Sequence, residues 1–500
     1  MELGEWIMSN GLPDYLKMAK PNPLENRAPW YKNTAQTYAG IMLWFVFWNE
    51  VPVGSGLKPG TPYSGFAGGV LAQGLGVALL GVVIAALLCH FLFYIVPGML
   101  GMKTGLPLYI VGTSTYGAKG GFIMPGFLMG LLQYGWLAVN AFFAGILLCA
   151  PFGQGPGTVA HAVVSTVWAI AAAFMGVKGI QYVARIATFL PLIPLIILII
   201  LVVSTIGGVG SFDSQALINT GTSIETANDD GTVELLTAQS PLTTFGVIAL
   251  ICTYIVGFFA TAGAAGTDFG MNNRDARDVQ LGGLVGIAGA TIFAGGAALL
   301  IVAGAHGSGK ASDGAAMAAT SLMGDIMGNP KISAVFMYLL AVAAFPPACF
   351  SSFIAANSFK TTLPNVKPLI SCGLGTLAAV ILAVTGLAGN AVGVFKIIGA
   401  SFGPICGAMM VDYLLSGKKW PGPRAGYNLA GWISWAVGFV VGAADFIPPL
   451  AGKVPCPPMA AFVVGAVLYF VLAKAGLESK VLSLESAPAP ASAGNASSKG

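Results

Sequence analysis

The sequence predicts an all-α polytopic membrane protein with about twelve transmembrane helices. Three observations predict it. Only 8% of the 500 residues are charged while 56% are hydrophobic, against about 25% charged in soluble domains. Apolar runs of roughly 20 residues recur from Ala39 to Leu472, each long enough to cross a hydrocarbon core. Basic residues, finally, fall almost wholly on alternate connections.

Apolar runs set against Gly, Pro and polar turn signals give spans at 36–57, 68–98, 122–150, 158–176, 183–206, 242–266, 279–304, 331–357, 368–388, 391–414, 427–450 and 457–476. The organisation this implies is an N-terminal segment 1–35, five helices over 36–206, a loop 207–241, five more helices over 242–414, a final pair over 415–476 and a tail 477–500. No cleavable signal peptide is expected, because the first 35 residues are polar and Pro-punctuated. That segment is expected to hold a short interfacial helix around Trp6 and Tyr15. The tail from about Glu485, rich in Ala, Pro, Ser and Gly, reads as disordered. The long interruption Gly207 to Ser240 holds no Lys or Arg, and its acidic residues (Asp213, Glu225, Asp229, Asp230, Glu234) suit a solvated loop.

With the N-terminus inside, cytoplasmic segments hold Lys17, Lys20, Arg27, Lys32, Lys103, Lys119, Lys178, Arg185, Arg274, Arg277, Lys360, Lys367, Lys418, Lys419, Arg424, Lys474, Lys480 and Lys499. Outer connections hold Lys58, Lys310, Lys331 and Lys453. Retained Lys and Arg mark the inner side. Both termini are therefore expected in the cytoplasm, in a plasma membrane.

The seven cysteines (Cys89, Cys149, Cys252, Cys349, Cys372, Cys406, Cys456) show no CxxC spacing and sit mostly in apolar runs, which suits packing thiols. His90, His161 and His306 are scattered. No Ser/His, Asp/Asp or metal constellation argues for an enzyme, and no basic, aromatic-laced patch argues for nucleic acid. A channel would need a continuous polar path, whereas the polar residues here gather near mid-depth. The expected partners are a small-molecule solute and the lipid bilayer.

Two spans look interrupted. The first reads Trp44-Phe45-Val46-Phe47-Trp48-Asn49-Glu50-Val51-Pro52, and a proline there removes a backbone donor and favours unwinding with free carbonyls. The sixth reads Gly257-Phe258-Phe259-Ala260-Thr261-Ala262-Gly263-Ala264-Ala265-Gly266, small-residue-rich and easily opened, or else suited to tight packing. Five helices separate the breaks, as two five-helix halves of inverted topology would require. A carboxylate inside a span faces a cavity or a partner. For Glu50 three roles stand open: accepting a heterocycle's N–H groups, carrying a coupling proton, or pairing with a cation.

Gln133, Trp136 and Asn140 share one face of the third span by i, i+3, i+7 spacing. An amide beside an indole can bond and stack a flat ring; interhelical bonding is the other use of these groups. In the eighth span, the hydroxyls of Ser351 and Ser352 are hard oxygen ligands that could join unwound carbonyls around Na⁺. Ser also bonds its own helix. Lys396 lies about five residues into the tenth span, close enough to the outer face to snorkel.

These segments together resemble the first class of nucleobase:cation symporters, the cytosine and purine permeases and their hydantoin-transporting relatives. The likeness runs from about Ala28 to Leu450. It rests on Asn33-Thr34-Ala35-Gln36-Thr37-Tyr38-Ala39-Gly40, Lys103-Thr104-Gly105-Leu106, Gln133-Tyr134-Gly135-Trp136, Thr267-Asp268-Phe269, Pro404 through Asp412-Tyr413, and Tyr427-Asn428 with Trp432. The family usually has Pro in place of Gln36, and Thr-Arg in place of Gly270-Met271. The resemblance implies an amino-acid/sodium symporter-type fold, two inverted five-helix repeats plus two C-terminal helices, working by alternating access. It implies uptake of a nucleobase or related planar heterocycle with Na⁺ or H⁺ as coupling ion and no cofactor. It places Glu50, Gln133, Trp136, Phe259 and Asn357 at the substrate, with Asn49, Asn140 and Phe258 around them. Ser351 and Ser352, with the carbonyls of Val46 and Asn49, would hold Na⁺. A same-fold carrier of a vitamin, hydantoin or amino acid is the alternative.

Overall fold

The computed structural model describes residues 12–32, 43–52, 66–178, 189–220, 223–227, 233–237, 239–311, 319–363 and 365–482. Trp6, the Asn33–Gly40 motif, Arg185, and the tail beyond 482 lie outside the described residues, as do the flanks of the first span and the start of the fifth.

The architecture is helical and membrane-spanning. The helices are α1 (Trp44–Glu50), α2 (Leu75–Thr104), α3 (Phe122–Phe152), α4 (Val159–Lys178), α5 (Leu192–Ser211), α6 (Thr244–Ala264), α7 (Ala276–Gly307), α8 (Pro330–Thr362), α9 (Pro368–Val384), α10 (Ala391–Leu415), α11 (Leu429–Gly442) and α12 (Pro457–Lys474). Among the described residues, nine of these are long and apolar enough to cross a bilayer; α9 and α11 are shorter apolar helices. Their outward faces carry large aliphatic and aromatic side chains, among them Val163, Phe174, Leu374 and Val467, as lipid contact demands.

The helices sort into two packing groups. In one, α2 packs on both α6 and α7, and α7 on α1; in the other, α3, α4, α8 and α9 pack on one another. The contacts α2–α7, α3–α8 and α4–α9 pair helices five positions apart in the chain, which is the arrangement an inverted repeat produces. α5 bridges α7 and α8, while α10 joins α6 to α11 and α12. Glycines set the closest approaches. A Cβ on Gly101 would lie 1.9 Å from the Thr267 carbonyl, and one on Gly270 would lie 2.0 Å from the Gly98 carbonyl. Backbone therefore meets backbone where α2 passes the turn after α6, and dispersion with close packing holds them without large side chains.

Three widened π-helical turns interrupt the long helices: Cys89–Tyr94 in α2, Phe122–Phe127 in α3 and Leu284–Gly289 in α7. The second contains Pro125, whose missing N–H cannot serve a regular α-turn. The two prolines Pro346 and Pro347 sit within α8 without ending it.

One expectation is corrected. α6 runs unbroken from Thr244 to Ala264, so Phe259–Gly263 is regular helix; the turn comes at Ala265, before the short helix Gly266–Gly270. Its small residues serve close contact instead: a Cβ on Gly263 would come 2.7 Å from Phe93, and one on Gly257 would come 2.6 Å from the Phe395 carbonyl. The loop after α5 carries secondary structure of its own. It contains the helix Ser214–Thr220 and an antiparallel hairpin of β1 (Ser223–Ala227) and β2 (Val233–Thr237), with Ser223 opposite Thr237. α1 does stop where the sequence suggests: it is helical to Glu50, with the Val51 amide bonded to the Phe47 carbonyl, and Pro52 follows.

Candidate functional site

A cavity of about 2450 Å³ enters the bundle from the end that carries the basic connections. Its wall is built by the first turns of α3 (Phe122 to Met129), the second half of α8 (Pro346 to Thr362) and Asp268 and Phe269 after α6. The segment Leu12–Ala19 lies along its mouth. There the short helix Asp14–Lys17 is held by Tyr15, whose hydroxyl donates to the Ala118 carbonyl and whose ring meets Phe122 at 4.9 Å.

The predicted residues divide between this wall and the layer beyond it. Ser351 and Asn357 line the cavity. Gln133 is buried one turn past the wall residue Met129 and contacts its sulfur at 3.4 Å. Further along α3, beyond the residues that line the cavity, lies an aromatic layer. Trp136 donates from Nε1 to the Thr261 hydroxyl at 3.0 Å, meets Phe258 edge-on at 4.6 Å and lies 5.1 Å from Phe395. Phe258 adjoins Phe259 at 5.1 Å, and Phe259 is fully buried. Tyr254 completes the layer, 5.0 Å from Phe395 and 5.8 Å from Phe47 of α1.

α1 meets that layer through Phe47. Asn49 accepts from the Ala319 amide at 3.5 Å, so the helix Ala319–Met327 sits directly over the end of α1. Glu50 is half-buried beside Asn49, with 3.5 Å between Asn49 Nδ2 and Glu50 Oε1. On α6, the hydroxyl of the buried Tyr254 is a donor with no hydrogen-bond partner among the described residues. Orphaned buried donors are rare and cluster where a ligand completes them.

Other predicted residues have local partners. Asn140 donates to the Ala344 carbonyl and accepts from Trp168 Nε1, both at 2.9 Å; its amide ties α3, α4 and α8 together. Ser352 is buried, bonds the Ala348 carbonyl of its own helix at 3.3 Å and abuts Gly176, where a Cβ would come within 2.8 Å. The two serines therefore face different ways: Ser351 to the cavity, Ser352 to α4. Val46 is half-buried on α1, which packs chiefly against α7 and α10. Lys396 does not snorkel. It is 3% exposed and ion-paired with Asp445.

Sequence reasoning missed Thr261, Tyr254 and Phe395. Thr261 had a visible signal, being the one hydroxyl in the small-residue stretch of α6. Phe395 had none, since its partners lie on α3 and α6.

Asp268 was quoted for its motif but given no role. Half-buried on the cavity wall beyond the end of α6, it accepts from the Leu108 amide at 3.3 Å. Burial pushes its carboxyl up to about 6, against the lowering pull of that hydrogen bond. A folded pKa above the ordinary 3.8 means the folded protein holds the extra proton between the two values. Asp268 therefore penalises folding above about pH 6, and the penalty is lost as pH falls through the window toward 3.8. The melting temperature of the parent should rise relative to Asp268→Asn as pH is lowered from 7 toward 4.5. A gap that stays flat across that range would contradict this placement.

A scan of protein-family models and a search of curated protein sequences gave no match. Among solved structures, the chain is similar to the inward-facing conformation of Mhp1, at 12% identity over 93% of this chain and 95% of that one, TM-score 0.63. It is also similar to Mhp1 described as a nucleobase-cation-symport-1 family transporter in a closed conformation with bromovinylhydantoin bound, at 14% identity over 92% and 96%, TM-score 0.58. A third is a Na⁺-coupled sialic acid symporter in a substrate-bound outward-open state, at 13% identity over 95% of each chain, TM-score 0.54. At such identities the likeness is one of fold, and it extends over nearly the whole chain.

Proposed function

We propose that this protein is a secondary active transporter that takes up a nucleobase or related planar heterocycle with Na⁺ or H⁺, and that the structure is its inward-facing form. The observation that carries this reading is the aromatic layer. Trp136, fixed by Thr261 and flanked by Phe258 and Phe395, lies two turns along α3 from the cavity-lining Met129, and the Ala319 amide reaches Asn49 at the end of α1. Placing the basic end in the cytoplasm makes the open side the inner one.

An indole held by its own N–H offers a flat face for a flat ring. Gln133 lies a turn below it, and Glu50 with Tyr254 a turn beyond, so a ring in this layer would meet an amide on one edge and a carboxylate with a hydroxyl on the other. That set suits a heterocycle with adjacent N–H donors and carbonyl acceptors. Ser351 supplies the ion-binding hydroxyl from α8, and Val46 and Asn49 the carbonyls from α1; Asn357 lies on the exit path. Among the described residues α1 packs on α7 and α10, and closure would bring it toward Ser351 on α8.

In reconstituted vesicles we expect Na⁺-stimulated uptake from a panel of nucleobases, hydantoins, vitamins and amino acids, with flat heterocycles preferred. Glu50→Gln should change substrate choice or pH dependence. Ser351→Ala should weaken Na⁺ dependence more than Ser352→Ala, whose hydroxyl is spent on its own helix. Uptake indifferent to Na⁺ but abolished with the pH gradient would remove the serine assignment and move coupling to Glu50.

A further inference from the structure

Three rings from two helices converge on one residue of α10. The Phe395 ring, fully buried, lies against Trp136 of α3 and against Tyr254 and Phe258 of α6, at 5.1, 5.0 and 5.4 Å. Its carbonyl presses on α6 at Gly257, where a Cβ would come within 2.6 Å. These contacts pack α10 onto the aromatic layer between α3 and α6.

Behind Phe395, α10 is fastened along its length to the last two helices. Lys396 pairs with Asp445 in the turn after α11, and the other Asp445 oxygen accepts from the Gly452 amide at 3.0 Å. Further along, Cβ atoms on Gly399, Gly403 and Gly407 would come 2.5, 2.8 and 2.3 Å from Pro458 and Phe462 of α12. Trp435 of α11 donates to the Ser401 carbonyl at 3.0 Å. An apolar side chain at position 396 could fill this space as well as a lysine, since buried ion pairs contribute little net stability. What the pair adds is a fixed position for the residue next to it.

Resting on the transporter reading, we propose that Lys396 and Asp445 are positioning residues that hold Phe395 as a fixed stop of the outer gate. Access from outside opens when α1 and α6 withdraw from Phe395, while α10 stays on α12. Asp445 lies 49 positions from Lys396, so the device spans two connections and is assembled only by the fold.

The test needs no substrate, so its failure is separable from failure of the proposed activity. In the full chain, Ala319→Cys places a thiol where the helix Ala319–Met327 covers α1. Its labelling by an impermeant maleimide added outside, above that of the parent chain and per folded protein, reports outer opening. Lys396→Met and Asp445→Asn should each raise that rate about fivefold or more. Lys396→Arg should leave it low, and the exchange Lys396→Asp with Asp445→Lys should bring it back down. Unchanged labelling in folded Lys396→Met and Asp445→Asn protein would overturn the proposal and leave the pair a structural tether. Spin labels at Ile397 on α10 and Val463 on α12, both on exposed faces, should keep their separation when Na⁺ is added; a change would show α10 bending and overturn the fixed stop.

Discussion

Arg424→Met should lower stability by about 3–5 kcal/mol, the usual cost of removing one partner of a buried ion pair. Arg424 is 4% exposed and Asp412 is 2% exposed. One guanidinium nitrogen donates to Asp412 at 2.8 Å and to the Ser114 carbonyl, and the other donates to Glu478 at 2.8 Å. Asp412 further accepts from the hydroxyls of Ser114 at 2.6 Å and Thr115 at 3.1 Å. Tyr469 donates to Glu478 at 2.9 Å, and Asn428 to the Thr115 carbonyl at 2.8 Å. The network thus fastens the end of α10, the α10–α11 connection, the end of α12 and the turn before α3 at the basic end. Losing the arginine leaves a carboxylate buried with hydroxyl donors alone. The readout is the midpoint of thermal or denaturant unfolding in detergent. Arg424→Met/Asp412→Leu should recover most of the loss, because no charge is then stranded. A single variant within about 0.5 kcal/mol of the parent, the range of ordinary surface changes, would show the network to be dispensable.

The helices were legible in the sequence because lipid leaves no alternative: an apolar run must satisfy its own backbone bonds, and Gly, Pro and charges mark where each run ends. The end of α1 at Glu50 was legible for the same reason, since Pro52 cannot continue the ladder. α6 misled because Gly and Ala permit a break without enforcing one. Which use they serve depends on what arrives from α2 and α10, here Phe93 and the Phe395 carbonyl. Asn140 and Lys396 show the same limit. A polar group in a span announces that it has a partner, but not that the partner is the Ala344 carbonyl or Asp445. The face carrying Gln133 and Trp136 could be read from helical spacing alone. The residues that complete it, Thr261, Tyr254 and Phe395, come from distant segments and became visible only in the fold.

Trp136→Ala should be the most damaging change to transport. The indole contacts Phe258 and Phe395 and offers the face on which a flat solute would stack. Aromatic pairs contribute roughly 0.5–1.5 kcal/mol each beyond burial. Losing two pairs and the stacking surface should reduce kcat/KM on the order of 30- to 100-fold, taking about 1.4 kcal/mol per tenfold. Trp136→Phe keeps a ring but gives up the bond to Thr261, worth about 1 kcal/mol, so a loss of about fivefold is expected. Thr261→Val breaks the same bond from the other side and should cost a similar factor. Combining Trp136→Phe with Thr261→Val should add almost nothing, since the two changes remove one shared interaction. The three variants therefore separate orientation from stacking. If Trp136→Phe is as inactive as Trp136→Ala, the indole N–H carries the effect, through Thr261 or through the solute itself. If Trp136→Ala transports normally, the aromatic layer is packing, and the solute binds elsewhere in the cavity.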